Sequence, residues 1–192
     1  NGSLLGVLDK TSTAMGARML RSFLEQPLIN RERILNRQEA VAELFERYID
    51  REELREYLNP VYDLERLMAR VVTKSANTRD LLSLSSSMKM IAPIKEVLNP
   101  CTSGEIVKIN EGLDKLEDII DIIDRSINED SPLSLKEGNI INTGYNAEID
   151  KLRQAKTEGK NWLAELEADE KEKTGIKNLK IKYNKVFGYY FE

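Results

Sequence analysis

The sequence predicts a mainly α fold, a multi-helix bundle with long projecting helices and a small β-hairpin near the C-terminal end. Three observations predict it. Apolar residues recur at three- and four-residue spacing over most of the chain. Only 10 glycines and 5 prolines punctuate 192 residues, leaving long stretches of good helix formers. After Gly175 the apolar period changes from that of a helix to that of a strand.

A short apolar stretch, Leu4-Leu5-Gly6-Val7-Leu8, precedes a first helix expected from Thr13, with Ala14, Met15, Met19, Leu20, Phe23 and Leu24 on one buried face. Gln26-Pro27 ends it, because proline disfavours helical geometry in the residue before it. Asn30 suits the N-cap of a second helix that turns Ile34, Leu35, Ala40, Val41, Leu44 and Phe45 inward. A shorter helix covers residues 51–58. Asn59-Pro60 reads as the next start, a capping residue followed by proline at the first helical position, with Val61, Leu64, Leu67, Met68 and Val71 on one side. Asn77, with Asp80 three residues on, opens another helix that reaches residues 90–91 and contains Leu81, Leu82, Leu84, Met88 and the serine run 85–87. Pro93 opens the next turn or short helix. Residues 99–104 form a loop, and one helix is expected from 105 to 127 through Ile106, Ile109, Leu113, Leu116, Ile119, Ile120 and Ile123. Residues 129–144 then make a long connection marked by Ser131-Pro132, Glu137-Gly138 and Thr143-Gly144.

The longest helix is expected from Asn146 to Lys173, ending at Thr174-Gly175. Ile149, Leu152, Trp162, Leu163 and Leu166 are its apolar positions, and Trp162 is read as helix–helix packing. Glu167–Lys171 and Asp169–Lys173 are acid-first pairs four residues apart that support a water-exposed helix. A helix of roughly 28 residues spans about 42 Å, so its distal end is expected to project into solvent. Beyond it, Leu179, Ile181 and Tyr183 alternate with Lys180 and Lys182 as a strand, Asn184 to Gly188 form a turn, and Tyr189-Tyr190-Phe191 begin a return strand. The aromatic residues Tyr183, Tyr189, Tyr190 and Phe191 are read as core of a small sheet rather than as a base-stacking platform. Two strands are marginal alone, so the hairpin is expected to be part of a domain that the chain carries incompletely.

Charge separates this end from the rest. Residues 171–191 hold six lysines and one acid, a balance of +5, whereas the remaining residues sum to −9 within an overall −4. A positive, aromatic tip fits non-enzymatic contact with a polyanion. Lys180, Lys182, the Asn184 amide, Lys185 and the turn backbone through Val186 and Phe187 are groups that position phosphates without reading sequence. Lys171 and Lys173 are read instead as ion-pair partners on the helix. With no histidine in the chain, a histidine triad or histidine metal site is excluded. Cys101 is the single cysteine, placed in a polar loop, which excludes an internal disulfide and fits a reducing cytoplasm. No apolar run approaches a membrane span and no basic-then-apolar leader opens the chain, so a cytoplasmic protein without a membrane partner is expected. The acidic stretches 114–124 and 165–172 follow exposed helix faces rather than a catalytic cluster. Asp63 and Arg66 are read as a structural ion pair.

Many short stretches carry a further signal. They are Gly2-Ser3-Leu4-Leu5, Leu8-Asp9-Lys10-Thr11, Thr13-Ala14-Met15-Gly16-Ala17-Arg18-Met19-Leu20-Arg21, Gln26-Pro27-Leu28 and Arg37-Gln38-Glu39-Ala40-Val41. Val61-Tyr62-Asp63-Leu64-Glu65-Arg66-Leu67, Ala76-Asn77, Arg79-Asp80-Leu81-Leu82, Gly144-Tyr145-Asn146 and Glu148-Ile149-Asp150 follow. The last are Thr174-Gly175-Ile176-Lys177 and Tyr183-Asn184-Lys185-Val186-Phe187-Gly188-Tyr189-Tyr190. In this order they resemble the middle part of the MutS-type DNA mismatch repair proteins, over nearly the whole chain.

The resemblance implies a helical core, or lever, domain over residues 1–144, then a long lever helix and the first part of a clamp domain over 145–192. It implies that Lys180, Lys182, Asn184, Lys185, Val186 and Phe187 approach the backbone of duplex DNA, and that the levers relay state to an ATPase domain elsewhere. No glycine-rich Gly-Lys-Ser/Thr loop and no Phe-x-Glu mismatch reader are present, so this segment is expected neither to hydrolyse ATP nor to distinguish a mismatch. No cofactor is expected in it, ATP and Mg belonging to the ATPase domain. The implied partners are duplex DNA, the other domains of the full-length protein and a second copy in a homodimer. The competing reading is a helical protein-interaction scaffold without DNA contact.

Overall fold

A computed structural model of the chain describes residues 2–132, 134–186 and 188–192. It comprises two compact units, Asn1–Asn142 and Thr143–Glu192. In the first, the helices are α1 (Leu4–Leu8), α2 (Ala14–Glu25), α3 (Arg31–Glu46), α4 (Tyr48–Leu58), α5 (Leu64–Val72), α6 (Thr78–Lys89), α7 (Ile91–Leu98), α8 (Gly104–Gly112) and α9 (Glu117–Ser126). The second holds α10 (Ala147–Thr174) and the antiparallel strands β1 (Ile181–Asn184) and β2 (Gly188–Phe191). The fold is therefore mainly α with one small hairpin. Among the described residues no helix is long and apolar enough to cross a membrane.

Local capping chemistry sets most helix starts. Thr13 accepts from the Gly16 amide, Asn30 from that of Arg33, and Asn77 with Asp80 forms a reciprocal capping box. The Leu4–Leu8 stretch is itself a short helix, because the Ser3 hydroxyl accepts from the Gly6 amide. Asn59-Pro60 does not open a helix. Asn59 closes α4 by donating its amide to the Arg55 carbonyl, and α5 starts only where the Asp63 carboxylate accepts from the Arg66 amide. A carboxylate at a helix N-terminus also meets the favourable end of the helix dipole. Pro93 lies in the first turn of α7, where its missing N–H is harmless.

The helix expected over 105–127 is two helices. Glycine weakens a helix interior, and α8 stops at Gly112. Leu116 then takes a left-handed conformation at φ 53°, with its amide donating to Asp114 at 3.0 Å. The Lys95 ammonium of α7 donates to the carbonyls of Asn110 and Leu113 at the end of α8, the first of which also accepts from the Leu113 amide. After α9 the connection is pinned rather than loose. Ile127 bridges Ile141, the Asn128 amide donates to the Ile140 carbonyl, and the Asn142 side chain donates to the carbonyls of Asp124, Arg125 and Ile127.

Two apolar clusters hold the first unit together. Ala40, Leu54, Leu98, Cys101 and Ile106 join α3, α4, α7 and α8. Cys101 thus belongs to the core rather than to a polar surface loop, and burial pushes its thiol above the ordinary range. Leu67, Leu84, Met88, Ile123 and Ile127 join α5, α6 and α9. Ser85 is buried between α6 and α9 and donates to Asp124 at 2.7 Å, which also holds the Lys89 ammonium at 2.7 Å.

The apolar face of α2 is not core. No residue of that helix is buried, Met19 and Phe23 are exposed, and so are Leu35, Val41 and Phe45 of α3. Ion pairs tie α2 to α5 instead. Arg18 donates to both oxygens of Asp63, at 2.7 and 2.8 Å, and to Glu65 at 2.9 Å. The anticipated Asp63–Arg66 pair is looser, at 3.4 Å. The Arg18 hydrogen bond holds Asp63 at about 2, below its ordinary 3.8. The amides of Ser103 and Thr102 likewise hold Glu43 at about 2, below 4.5.

Both carboxylates are depressed in the folded state, so their contribution to stability is fully present above their ordinary values. It is lost as pH falls toward about 2. The urea midpoint should therefore stay level from neutral pH to about pH 5 and fall below about pH 4, less steeply in Arg18→Met. A midpoint level down to about pH 2.5 would contradict this.

In the second unit, Asn146 accepts from the amides of Glu148 and Ile149 to start α10, and Gly175, at φ 69°, ends it in the left-handed conformation that glycine adopts without strain. None of the 28 residues of α10 is buried. Trp162 is 61% exposed, so its expected role in helix packing is not what the structure shows.

Candidate nucleic-acid interface

From Gly175 the chain passes through a turn closed by the Leu179 amide on the Ile176 carbonyl and enters the hairpin. Lys180 and Glu192 exchange backbone hydrogen bonds at 2.8 and 2.9 Å, and the register continues Ile181 to Phe191, Lys182 to Tyr190, Tyr183 to Tyr189 and Asn184 to Gly188. Side chains alternate across a strand, so Lys180, Lys182 and Asn184 share one face with Tyr190 and Glu192. Ile181, Tyr183, Tyr189 and Phe191 share the other.

The structure gives the predicted residues different surroundings. Lys182 lies 2.6 Å from the Glu192 carboxylate, whose hydrogen bond raises its pKa. Lys180 is exposed and forms no ion pair among the described residues, although its charge helps to lower the pKa of Glu167. The Asn184 side-chain oxygen accepts from the Val186 amide at 2.8 Å, which shapes the turn and leaves its NH₂ group as a donor. Lys185 is exposed at the turn beside Val186, itself 81% exposed. Phe187 lies outside the described residues. Gly188, at φ 78°, makes the return into β2.

On the helix, Lys171 pairs with Glu167 at 2.7 Å, as its spacing predicts. Lys173 pairs with Glu170 at 3.0 Å rather than with Asp169. Of the six lysines between 171 and 191, three are thus ion-paired. Lys177, Lys180 and Lys185 form no ion pair among the described residues. Lys177 was not singled out from the sequence. The signal available was its position just past the helix cap, on a segment too short to bring an acid back to it.

The aromatic residues are not core. Tyr183 and Tyr189 meet across the strands with ring centroids 5.1 Å apart, yet remain 63% and 62% exposed, and Tyr190 and Phe191 are exposed as well. A two-stranded ribbon has a single layer and cannot bury either of its own faces. Among the described residues no cluster of three or more acidic, cysteine or histidine side chains could hold a metal ion. What the hairpin offers chemically is positive charge, amide donors and exposed rings.

The sequence profile of MutS domain III matches residues 1–183. The whole chain is 60% identical to the DNA mismatch repair protein MutS of Lachnoclostridium phytofermentans, covering 20% of that protein. It is 55% identical to the protein of that name from Caldanaerobacter subterraneus and 52% identical to that from Acetivibrio thermocellus, covering 22% of each. The chain spans about a fifth of the length of these curated relatives. A profile match over nearly every residue, with identity this high across the whole chain, establishes that it belongs to the MutS domain III family.

Proposed function

We propose that this chain is the DNA-clamping and lever segment of a mismatch repair protein, gripping the backbone of duplex DNA without reading its sequence. The observation that carries this reading is the trio Lys177, Lys180 and Lys185, exposed cations that form no ion pair among the described residues, at and beside the hairpin that follows a 28-residue helix. The names of the relatives supply the biological setting. Ammonium groups and the Asn184 amide are donors suited to phosphate oxygens, and none of them faces a base-reading pattern.

In this reading residues 1–144 are the core domain, and 145–192 are the lever helix with the start of the clamp. The uninterrupted α10 passes strain from the hairpin toward an ATPase domain in the rest of the parent protein. ATP and Mg act there, the segment itself catalyses nothing, and the parent works as a cytoplasmic homodimer.

Titrating the chain with a duplex of about 20 base pairs at several salt concentrations tests the proposal. Three phosphate contacts predict a log–log slope near −2.7, with a Kd no tighter than about 10⁻⁴ M at physiological salt and equal values for matched and mismatched duplexes. A slope near zero would favour the protein-interaction scaffold instead.

A further inference from the structure

Glu167 is the one residue of α10 that holds a strand of the hairpin by a hydrogen bond among the described residues. One carboxylate oxygen lies 2.7 Å from the Lys171 ammonium, and the other accepts the Ile181 amide at 3.0 Å, across 14 residues of sequence. The register makes that amide informative. Lys180 exchanges both its backbone hydrogen bonds with Glu192, so in an antiparallel ladder the N–H of the next residue, Ile181, points away from β2. Without an acceptor from elsewhere it would be an open edge donor. Lys171 in turn keeps Glu167 ionised and directed, its hydrogen bond being the largest influence lowering the carboxyl pKa.

From this we infer that Glu167 is a positioning residue that fixes the direction of the hairpin on α10. Gly175 and the turn at 176–179 join the hairpin to the helix by local hydrogen bonds alone; the Glu167–Ile181 bond adds a hold from the helix body, and the Glu167–Lys171 pair braces the carboxylate from one turn further along the helix. The hairpin then turns with the helix as a unit. Its relevance to DNA contact rests on the reading above, whereas the tie itself does not.

Amide exchange measured by NMR on the full chain separates the possibilities. In Glu167→Ala the Ile181 amide should exchange about tenfold faster, as loss of a charge-assisted hydrogen bond requires. The Lys182 and Tyr190 amides, bonded within the hairpin, should stay within about twofold of wild type. Residual dipolar couplings of the strand amides should shrink relative to those of α10. Glu167→Gln keeps an acceptor and should restore most of the Ile181 protection and of the couplings.

Unchanged Ile181 exchange in Glu167→Ala would overturn the inference. So would a uniform rise across all hairpin amides, which would mean that Glu167 holds the hairpin together rather than aiming it. Because no DNA enters these measurements, they stand or fall separately from duplex binding. An intact tie with DNA affinity indifferent to Lys180 and Lys185 would sink the DNA reading alone.

Discussion

Changing Lys177 and Lys185 to glutamate together with Lys180 to glutamine, which avoids setting an acid against Glu192 and Glu167, should lower duplex affinity roughly hundredfold at low salt and flatten the log–log slope from about −2.7 toward zero. Each lysine that neutralises a phosphate releases counterions, and each reversal replaces that attraction with repulsion. All three side chains are exposed, so the fold should persist and far-UV circular dichroism should not change.

The contrast comes from Lys171 and Lys173, already paired with Glu167 and Glu170. Reversing Lys173 should change affinity by less than about threefold. Lys182 belongs in neither set, because its reversal would set a glutamate against Glu192 and loosen the hairpin that presents the others. Undiminished affinity and slope in the triple variant would rule out the clamp assignment.

Truncating Met88 to alanine should cost about 2–5 kcal/mol of stability, read as a shift of the urea midpoint with an unchanged slope. Met88 is 4% exposed and packs in the cluster where α5, α6 and α9 meet, so its loss leaves a cavity that the surrounding helices close only in part. Trp162→Ala should change stability by no more than about 0.5 kcal/mol, because the indole is already in water and its removal opens no void. Equal costs for the two would mean that α10 is covered in a way the described contacts do not contain.

Met88 and Trp162 show what helical spacing decides and what it leaves open. Met88 and Leu84 recur at helical spacing and are core, as the spacing predicts. Trp162, Met19 and Phe23 also sit at apolar helical positions, yet they are exposed. Periodicity marks the face a helix could bury; whether another element covers it depends on residues far away or on another chain. Cys101 is the opposite case, a residue in a polar stretch that the packing of α3, α4, α7 and α8 nonetheless encloses.

At the candidate interface, the strands, the turn and its lysines were legible because a period of two and a glycine turn are local signals. The state of each lysine was not. Lys182 and Glu192 are ten positions apart, and only the pairing of Lys180 with Glu192 brings them together.

By itself the sequence determined the family, the helical class, the helix starts at Thr13, Asn30, Asn77 and Asn146, and the end of α10 at Gly175. Those are contests settled within about one helical turn, between a backbone amide and the nearest side-chain oxygen. Only the tertiary structure decided that Arg18 takes Asp63 from 45 residues away, that Lys95 closes the end of α8, and that Glu167 holds Ile181. Charge and burial act through space, so a residue's partner is fixed by what folding brings to within about 3 Å of it, which no local pattern encodes.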